Sequence, residues 1–131
     1  MLKLPRAIFD ALIVHAREGF PLEVCGILGG LDGEVSGHFP MINLDASSEH
    51  FMMDPKEQFG VIKELRAKGL AMVAVYHSHP ASPARPSAED IRLALTPDIS
   101  HVIVSLAEPE PVLKSFRITD GVVEPEEISL I

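Results

Sequence analysis

Two histidines and one aspartate stand at a spacing that suits a metal ion. His77 and His79 follow an apolar run, and Asp90 comes eleven residues later. In an extended chain, residues i and i+2 point to the same side, so both imidazoles would face one spot. Two nitrogens and one carboxylate oxygen supply three ligands and leave a fourth position open for water. This arrangement is typical of a catalytic zinc ion rather than a structural one.

A metal ion held in this way would need two further groups to hydrolyse a peptide bond. Zinc lowers the pKa of a bound water to about 7, which makes a nucleophile at neutral pH. A general base must then take the proton and pass it to the leaving amine. We expect Glu23 to take this role, because it stands at the start of an apolar predicted strand. Ser87 would donate a hydrogen bond to the oxyanion of the tetrahedral intermediate.

Ordinary structural roles compete with each of these interpretations. The two histidines could simply form hydrogen bonds at a strand end, and Glu23 could be a solvated edge residue. Ser87 suits a helix N-cap, which is compatible with a role in chemistry. A capping role for Asp90 would compete with metal binding, because one carboxylate cannot face both ways well.

Other polar residues near this set carry weaker indications. Cys25 is the one cysteine in the chain, and we favour core packing over a fourth ligand because free cysteine is usually buried. Arg85 stands in a loop beside the site, where it is either solvated or in contact with a substrate carboxylate. Asn43 and Ser78 are candidates to line the cleft by position alone. The remaining histidines are expected to be structural: His15, His38, His50 and His101.

Helices and strands alternate along the chain and would position these residues. An apolar repeat predicts a first helix over 5–18, and Asp54-Pro55 begins a second helix that ends at Gly69, with Phe59 on its buried face. A third helix runs from Ser87 to about Leu95. Apolar runs bounded by turn residues predict strands at 22–29, 34–39, 51–53, 71–76, 102–106 and 112–118, with a short one after Asp120-Gly121. The fold class is therefore α/β, with a mixed sheet and about three helices in a single domain.

The composition excludes several classes of protein. The chain has 131 residues, of which 47% are hydrophobic, so it has enough apolar side chains for one core. Its net charge of −8 gives no general attraction to nucleic acid or anionic lipid. A single cysteine excludes an intramolecular disulfide and a Cys-rich zinc finger. We find neither a signal peptide nor the roughly 20 apolar residues that span a bilayer, and we expect a cytoplasmic protein.

The separated motifs together resemble one known family. Glu23, His77-Ser78-His79-Pro80, Pro86-Ser87 and Asp90 resemble the JAMM motif of MPN-domain (Mov34/PAD-1) metalloproteases. The segment 23–29 also resembles the strand that carries the glutamate of this family. The resemblance covers nearly the whole chain, and every motif position is filled.

This resemblance implies a fold, a metal and a reaction. The fold would be a cytidine-deaminase-like α/β/α sandwich over residues 1–131. One zinc ion per chain would be bound by His77, His79 and Asp90, with Glu23 as general acid/base and Ser87 as oxyanion stabiliser. The enzyme would hydrolyse the bond after the C-terminal glycine of a ubiquitin-like protein, and the short prokaryotic members point to a sulfur carrier.

Two other functions compete with this one. A non-catalytic MPN-type scaffold would bind partners without metal, but such scaffolds are expected to lack one or more ligands and this chain lacks none. Base deamination on a similar fold fails, because the sequence has no Cys-x-x-Cys and no His-x-Glu pair. The short loop from Pro80 to Pro86 gives no reason to expect the ubiquitin-chain specificity of the eukaryotic members.

Overall fold

The computed structural model describes residues 1–94, 96 and 98–131, and in these residues one sheet forms the centre of the molecule. The sheet has eight strands, and three helices accompany it in this part of the chain. The strands are β1 Leu2–Leu4, β2 Cys25–Leu31, β3 Glu34–Met41, β4 Ala71–His79, β5 Ser100–Ser105, β6 Val112–Thr119, β7 Val122–Glu126 and β8 Ile128–Leu130. The helices are α1 Arg6–Gly19, α2 Pro55–Ala67 and α3 Ala88–Arg92.

The sheet is mixed, as the sequence predicts. Its strand order is β7-β6-β5-β4-β2-β3-β1-β8. β4 lies near the centre, antiparallel to β2 and parallel to β5. In this register Cys25 on β2 stands opposite His77, and Ile103 on β5 stands beside it. The strand that carries the two histidines is therefore held on both edges.

Helices cover both faces of the sheet, which makes an α/β/α sandwich. On one face Leu12 and Ala16 of α1 pack with Tyr76 of β4. On the other face Val61 of α2 packs against a cluster that includes Cys25. Because side chains alternate along a strand, β4 sends Tyr76 and Ser78 toward α1 and the two histidines toward α2.

Turn and cap residues define two of the element boundaries. Asp32 and Gly33 join β2 to β3 with φ angles of 51° and 77°, which two-residue hairpins of type I′ require. Asp54 caps α2, where its side chain accepts a hydrogen bond from the backbone N–H of Lys56 at 2.9 Å. None of the helices in the described part of the chain is long and apolar enough to cross a membrane.

Several predicted boundaries were wrong. β2 begins at Cys25 and runs through Gly29-Gly30, so Glu23 precedes this strand instead of lying in it. β4 does not end at residue 76 but continues to His79, so the histidines belong to the strand itself. Residues 51–53 form one isolated bridge, between Met53 and Asn43, rather than a strand.

The other differences concern helix faces and short strands. Phe59 is 67% exposed, and Val61 takes the place predicted for it against the sheet. Two three-residue strands, β1 and β8, were not predicted, because three residues are too few to show an alternating pattern. Helix α3 ends at Arg92, and its predicted end at Leu95 lies outside the described residues.

Candidate active site

Three potential ligand atoms converge on one point at the end of β4. His77 Nε2 lies 3.1 Å from His79 Nε2 and 3.1 Å from Asp90 Oδ2, and His79 Nε2 lies 3.2 Å from the same oxygen. Zinc with tetrahedral bonds of about 2.0–2.1 Å holds its ligand atoms about 3.3 Å apart. The three atoms could therefore hold a metal ion with little movement.

The hydrogen bond on the far side of His79 sets its tautomer. Its Nδ1 lies 2.8 Å from the backbone oxygen of Pro83, which can only accept, so Nδ1 carries a hydrogen. In the neutral ring the lone pair then lies on Nε2, which faces the other two ligand atoms. A histidine bound to a metal is usually oriented in this way by a carbonyl or carboxylate.

Asp90 both caps α3 and faces the two histidines. The Ser87 backbone N–H donates to Asp90 Oδ2 at 2.9 Å, and the Asp90 N–H donates to Ser87 Oγ at 3.0 Å. The oxygen that closes this capping box is also the one that lies near both Nε2 atoms. Capping and facing the histidines are thus compatible, contrary to our expectation from the sequence.

Burial and hydrogen bonding act in opposite directions on the ionisation of this cluster. Burial alone would raise the pKa of Asp90, but hydrogen bonds with His77 and His79 outweigh it and hold this pKa well below its usual range. Burial lowers the pKa of His77. For His79, burial is outweighed by hydrogen bonds with Asp90 and the Pro83 carbonyl, so its pKa is raised. The carboxylate is therefore ionised, which suits a metal ligand.

Glu23 is a buried carboxyl group beside this cluster. It is 5% exposed, and its Oε1 has no hydrogen-bond partner among the described residues. Burial raises the pKa of Glu23 to about 7, although the nearby His79 lowers it in part. A buried carboxyl group without a partner is costly to a fold, and a pKa near 7 is typical of a catalytic acid or base.

Two side chains fix the backbone that carries Glu23. Ser78 is fully buried, and its Oγ accepts a hydrogen bond from the Val24 N–H at 2.8 Å. Asn43 donates from Nδ2 to the backbone oxygens of Glu23 and His50, each at 3.1 Å. Neither residue acts as a cleft wall by this geometry. Both hold the segment before β2 in place, a role that position in the sequence does not reveal.

The other residues singled out from the sequence lie apart from the three ligand atoms. Cys25 packs in the core with Ile27, the role that the sequence analysis favours for it. Burial raises the pKa of its thiol to about 12. Arg85 is exposed in the loop before α3. His15 and His38 lie on the other face of the sheet, where each has a ring nitrogen 2.7 Å from the Tyr76 hydroxyl.

Three side chains beside the cluster were not predicted from the sequence to lie there. The ring of Phe51 stacks on His77 with the centroids 4.6 Å apart. His50 and His101, both expected to be structural, line a cavity together with His77 and Asp90. Only the pairing of β4 with β5 brings His101 here, where it stands beside Val75 in the parallel register.

The chain matches one known family of protein domains. Residues 5–119 match the family described as prokaryotic homologs of the JAB domain. The chain belongs to this family. The match spans every element from α1 to β6, including Glu23 and the three converging residues. The resemblance to MPN-domain proteins seen in the motifs is thereby confirmed.

Proteins similar in sequence to this JAB-domain chain include two peptidases. The chain is 36% identical over 127 residues to the CysO-cysteine peptidase of Mycobacterium tuberculosis, with 95% of this chain and 87% of the relative covered. It is also 36% identical over 104 residues to the desampylase of Haloferax volcanii, with 73% and 74% covered.

Solved structures share the fold. A protein of Desulfitobacterium hafniense superposes with a TM-score of 0.91 at 49% identity, covering 100% of this chain and 93% of that one. A structure described as a JAMM metalloprotease-like zinc site in the proteasome and signalosome has a TM-score of 0.64 at 18% identity, covering 100% and 98%. At that identity the second likeness shows the fold alone, and both support the predicted MPN-type sandwich.

Proposed function

We propose that this chain is a zinc-dependent peptidase that hydrolyses the bond after the C-terminal glycine of a ubiquitin-like protein, and that this protein is a sulfur carrier. The observation that carries the proposal is the convergence of two Nε2 atoms and one carboxylate oxygen beside the buried Glu23. The names of the relatives, a CysO-cysteine peptidase and a desampylase, support the substrate class.

His77, His79 and Asp90 would hold one zinc ion per chain. When bound, zinc acts as a Lewis acid and lowers the pKa of a coordinated water to about 7. The set of two nitrogens and one carboxylate oxygen suits zinc, and the neutral tautomer of His79 is already fixed by Pro83. Burial of the histidines keeps bulk water from competing for these atoms.

Glu23 would act as the general acid/base. A carboxyl group whose pKa is about 7 takes and gives a proton with little cost near neutral pH. Its Oε1 has no hydrogen-bond partner among the residues that the structure describes, so it is free to accept that proton. The backbone bonds from Ser78 and Asn43 hold its segment, which keeps the carboxyl group in one place during turnover.

Ser87 would stabilise the oxyanion of the tetrahedral intermediate. Its Oγ accepts the Asp90 N–H, so the hydroxyl hydrogen remains free to be donated to substrate. The capping box fixes the position of this hydroxyl relative to Asp90. Loss of one such donor typically costs about 2.7–4 kcal/mol of transition-state stabilisation.

The remaining parts of the proposal follow from charge and family. We treat residues 1–131 as one MPN-type domain, since the family match covers residues 5–119. The net charge of −8 favours a protein partner over nucleic acid or a membrane surface. A cytoplasmic location belongs to the same proposal.

Intact-mass analysis tests this function directly. Zinc-loaded protein is incubated with a ubiquitin-like carrier that has one amino acid beyond its Gly-Gly end. We expect the added residue to be lost with the wild-type protein, and retained with Glu23→Ala and with chelator-treated protein. Glu23→Ala should still contain one zinc per chain, whereas Asp90→Ala should not.

The scaffold alternative predicts a different result. Metal-free protein would bind the carrier with unchanged affinity, and zinc-loaded protein would never cleave it. Retention of the added residue by wild-type protein with one zinc per chain would therefore refute the peptidase proposal for this carrier. Full activity of Glu23→Ala would refute only the role of Glu23.

A further inference from the structure

The outward side of α2 carries a row of cations around an exposed aromatic ring. Phe59 is 67% exposed, and Lys56 and Lys63 on either side of it are also exposed. At 3.6 residues per turn, residues 56, 59, 63 and 66 share one side of the helix, so the exposed Arg66 extends the row. We call this row the α2 stripe, which consists of Lys56, Phe59, Gly60, Lys63 and Arg66.

Gly60 is an unfavourable residue at this position of the helix. A Cβ atom on Gly60 would meet nothing within 4 Å, whereas one on Gly29 of β2 would collide with Leu65. Glycine is disfavoured in a helix interior, and no close contact within the described part of the chain requires it here. A glycine on an exposed helix side does, however, let another molecule approach the backbone closely.

The charge of the stripe is opposite to that of the whole chain. The net charge of the chain is −8, but the stripe holds three cations. None of these three has an ion-pair partner among the residues that the structure describes, and the nearby Glu64 pairs with Lys68 at 3.3 Å. Aromatic side chains and arginine are enriched at protein interfaces, and opposite charges steer partners together. The stripe therefore suits a protein surface that is apolar in the centre and acidic at its edge.

A second copy of this chain fits the stripe poorly. The stripe cannot pair with itself, because its cations would face each other. Another copy would have to offer a different surface, and such head-to-tail contacts give open filaments unless the rotation closes a ring. The occupant is therefore a different protein.

The stripe adjoins the approach to the cluster. Gln58, the neighbour of Phe59, lines the cavity of about 360 Å³ that His77 also lines. Ile42, which is 66% exposed, lies beside the same turn of α2, because its N–H donates to Glu57 Oε1 at 3.2 Å. An extended tail covers about 3.3–3.6 Å per residue, so a few residues lead from this part of α2 to the cluster.

The substrate supplies the reason for a second contact, and this step rests on the proposed function. A tail that ends in glycine offers few side chains to bind, so it is a poor source of affinity. The folded domain that carries the tail has more surface to offer. Binding energy from groups remote from the scissile bond can be used to place that bond at the reacting groups.

We propose that the α2 stripe binds the folded domain of the carrier protein while the tail of the carrier reaches the cluster. Phe59 enters an apolar pocket on that domain, and Lys56 and Lys63 face carboxylates at the edge of the pocket. Gly60 lets the carrier approach the helix backbone closely. Phe59 is thus a specificity-determining residue and takes no part in the hydrolysis itself.

Two substrates with the same scissile bond test the proposal. One is the folded carrier with one amino acid beyond its Gly-Gly end, and the other is a peptide of the tail alone with the same added residue. In Phe59→Ala, kcat/KM for the carrier should fall about 30-fold, the effect of losing one aromatic anchor of an interface. The value for the peptide and the Tm should stay as in the wild type. Val14→Ala, which shortens a 51% exposed side chain on α1, should change neither substrate.

Gly60→Gln gives a result that a purely structural role would not give. Glutamine favours a helix more than glycine does, so the Tm should rise by about 3 °C. The added side chain blocks close approach, so kcat/KM for the carrier should fall about 10-fold while the value for the peptide is unchanged. Added salt should raise KM for the carrier and not for the peptide, because salt screens exposed charges.

The outcomes separate this proposal from the proposed function. Equal kcat/KM of the wild type for carrier and peptide, or full activity of Phe59→Ala on the carrier, would overturn the docking site. A dimer of the free protein that Phe59→Ala dissociates, measured by light scattering, would make a second copy the occupant and would overturn it too.

A titration decides the matter if neither substrate is cleaved. The folded carrier is added to zinc-loaded Glu23→Gln protein, with NMR of the backbone amides as readout. Shifts over residues 56–66 that are lost in Phe59→Ala would support the docking site without the peptidase. No shift in this segment would refute the docking site.

Discussion

Replacing Ser78 with alanine separates the positioning of Glu23 from the binding of metal. Ser78 lies between the two histidines in sequence but points to the opposite face of the sheet. Its Oγ accepts the Val24 N–H at 2.8 Å, and the Ser78 N–H donates to the Val24 oxygen at 3.0 Å. The first of these bonds is lost in Ser78→Ala, while the second and both histidines stay.

The size of the effect follows from burial. Ser78 is fully buried, so water cannot replace the hydroxyl, and the Val24 N–H is left without a partner. An unsatisfied buried donor costs about 1–3 kcal/mol, and we expect the free energy of unfolding to fall by about 2 kcal/mol. For a chain of this length that corresponds to a decrease in Tm of about 8 °C.

The effect on activity distinguishes a positioning role from simple loss of stability. Val24 is the neighbour of Glu23, and a displacement of about 1 Å of a catalytic group can cost about 100-fold in rate. We therefore expect kcat to fall by 10-fold or more with little change in KM, while the zinc content stays at one per chain. The assays are stopped-flow or mass-based kinetics at 25 °C, with Tm from calorimetry.

Ser115→Ala is the matched control. Ser115 is also a buried serine, and it lies on β6, away from the cluster. Its Oγ donates a hydrogen bond to the carboxylate of Glu126 at 2.7 Å. This variant should lose a similar amount of stability and keep the wild-type kcat. If Ser78→Ala behaved like Ser115→Ala, with lower Tm and unchanged kcat, the hydrogen bond to Val24 would have no role in placing Glu23.

Further predictions concern the metal, a helix cap and pH. Asp90→Asn should keep the cap of α3 through its amide oxygen but reduce the zinc content well below one per chain, measured by atomic emission. Asp54→Ala should lower the unfolding free energy by about 1 kcal/mol in urea titrations without changing kcat, since it removes only the cap of α2. Burial, together with the nearby His15, lowers the pKa of His38 to about 4. The neutral form of His38 is thus favoured in the folded state. Its contribution to the free energy of unfolding is therefore fully present above about pH 6.5, the pKa in the unfolded chain, and is lost as the pH falls toward 4. In a pH series of urea titrations, His38→Phe should remove this part of the pH dependence.

The positions of the three converging atoms were predictable because they depend on local geometry. The i, i+2 spacing of His77 and His79 fixes their common face in any strand, whether or not the strand boundary is predicted correctly. Ser87 and Asp90 lie within the four residues that begin α3, so the cap signal placed both at one helix start, although we expected capping to compete with a position of the carboxylate near the histidines. Their roles as ligands remain a prediction until metal is measured.

The features that were missed depend on contacts between distant parts of the chain. His101 reaches the cavity only because β5 pairs in parallel with β4, and no local pattern encodes that register. Ser78 gains its function from Val24, which lies 54 residues away. The hydrogen bonds of Asn43 likewise close a loop whose shape has no periodic signal. Sequence patterns show which residues share a face, whereas the fold decides what they meet across the sheet.

The capping box of α3 links local order to occupancy of the cluster. This helix has five residues and none of them is fully buried, so it is too short to persist by itself. Its N-terminus is closed by Asp90, the same residue whose oxygen faces both histidines. An ion bound there would stabilise the helix, and a better-formed helix would raise the affinity for the ion by an equal factor. Loss of the ion should therefore be visible as faster amide hydrogen exchange in residues 88–92. The exchange rate of this segment would then report whether the cluster holds an ion.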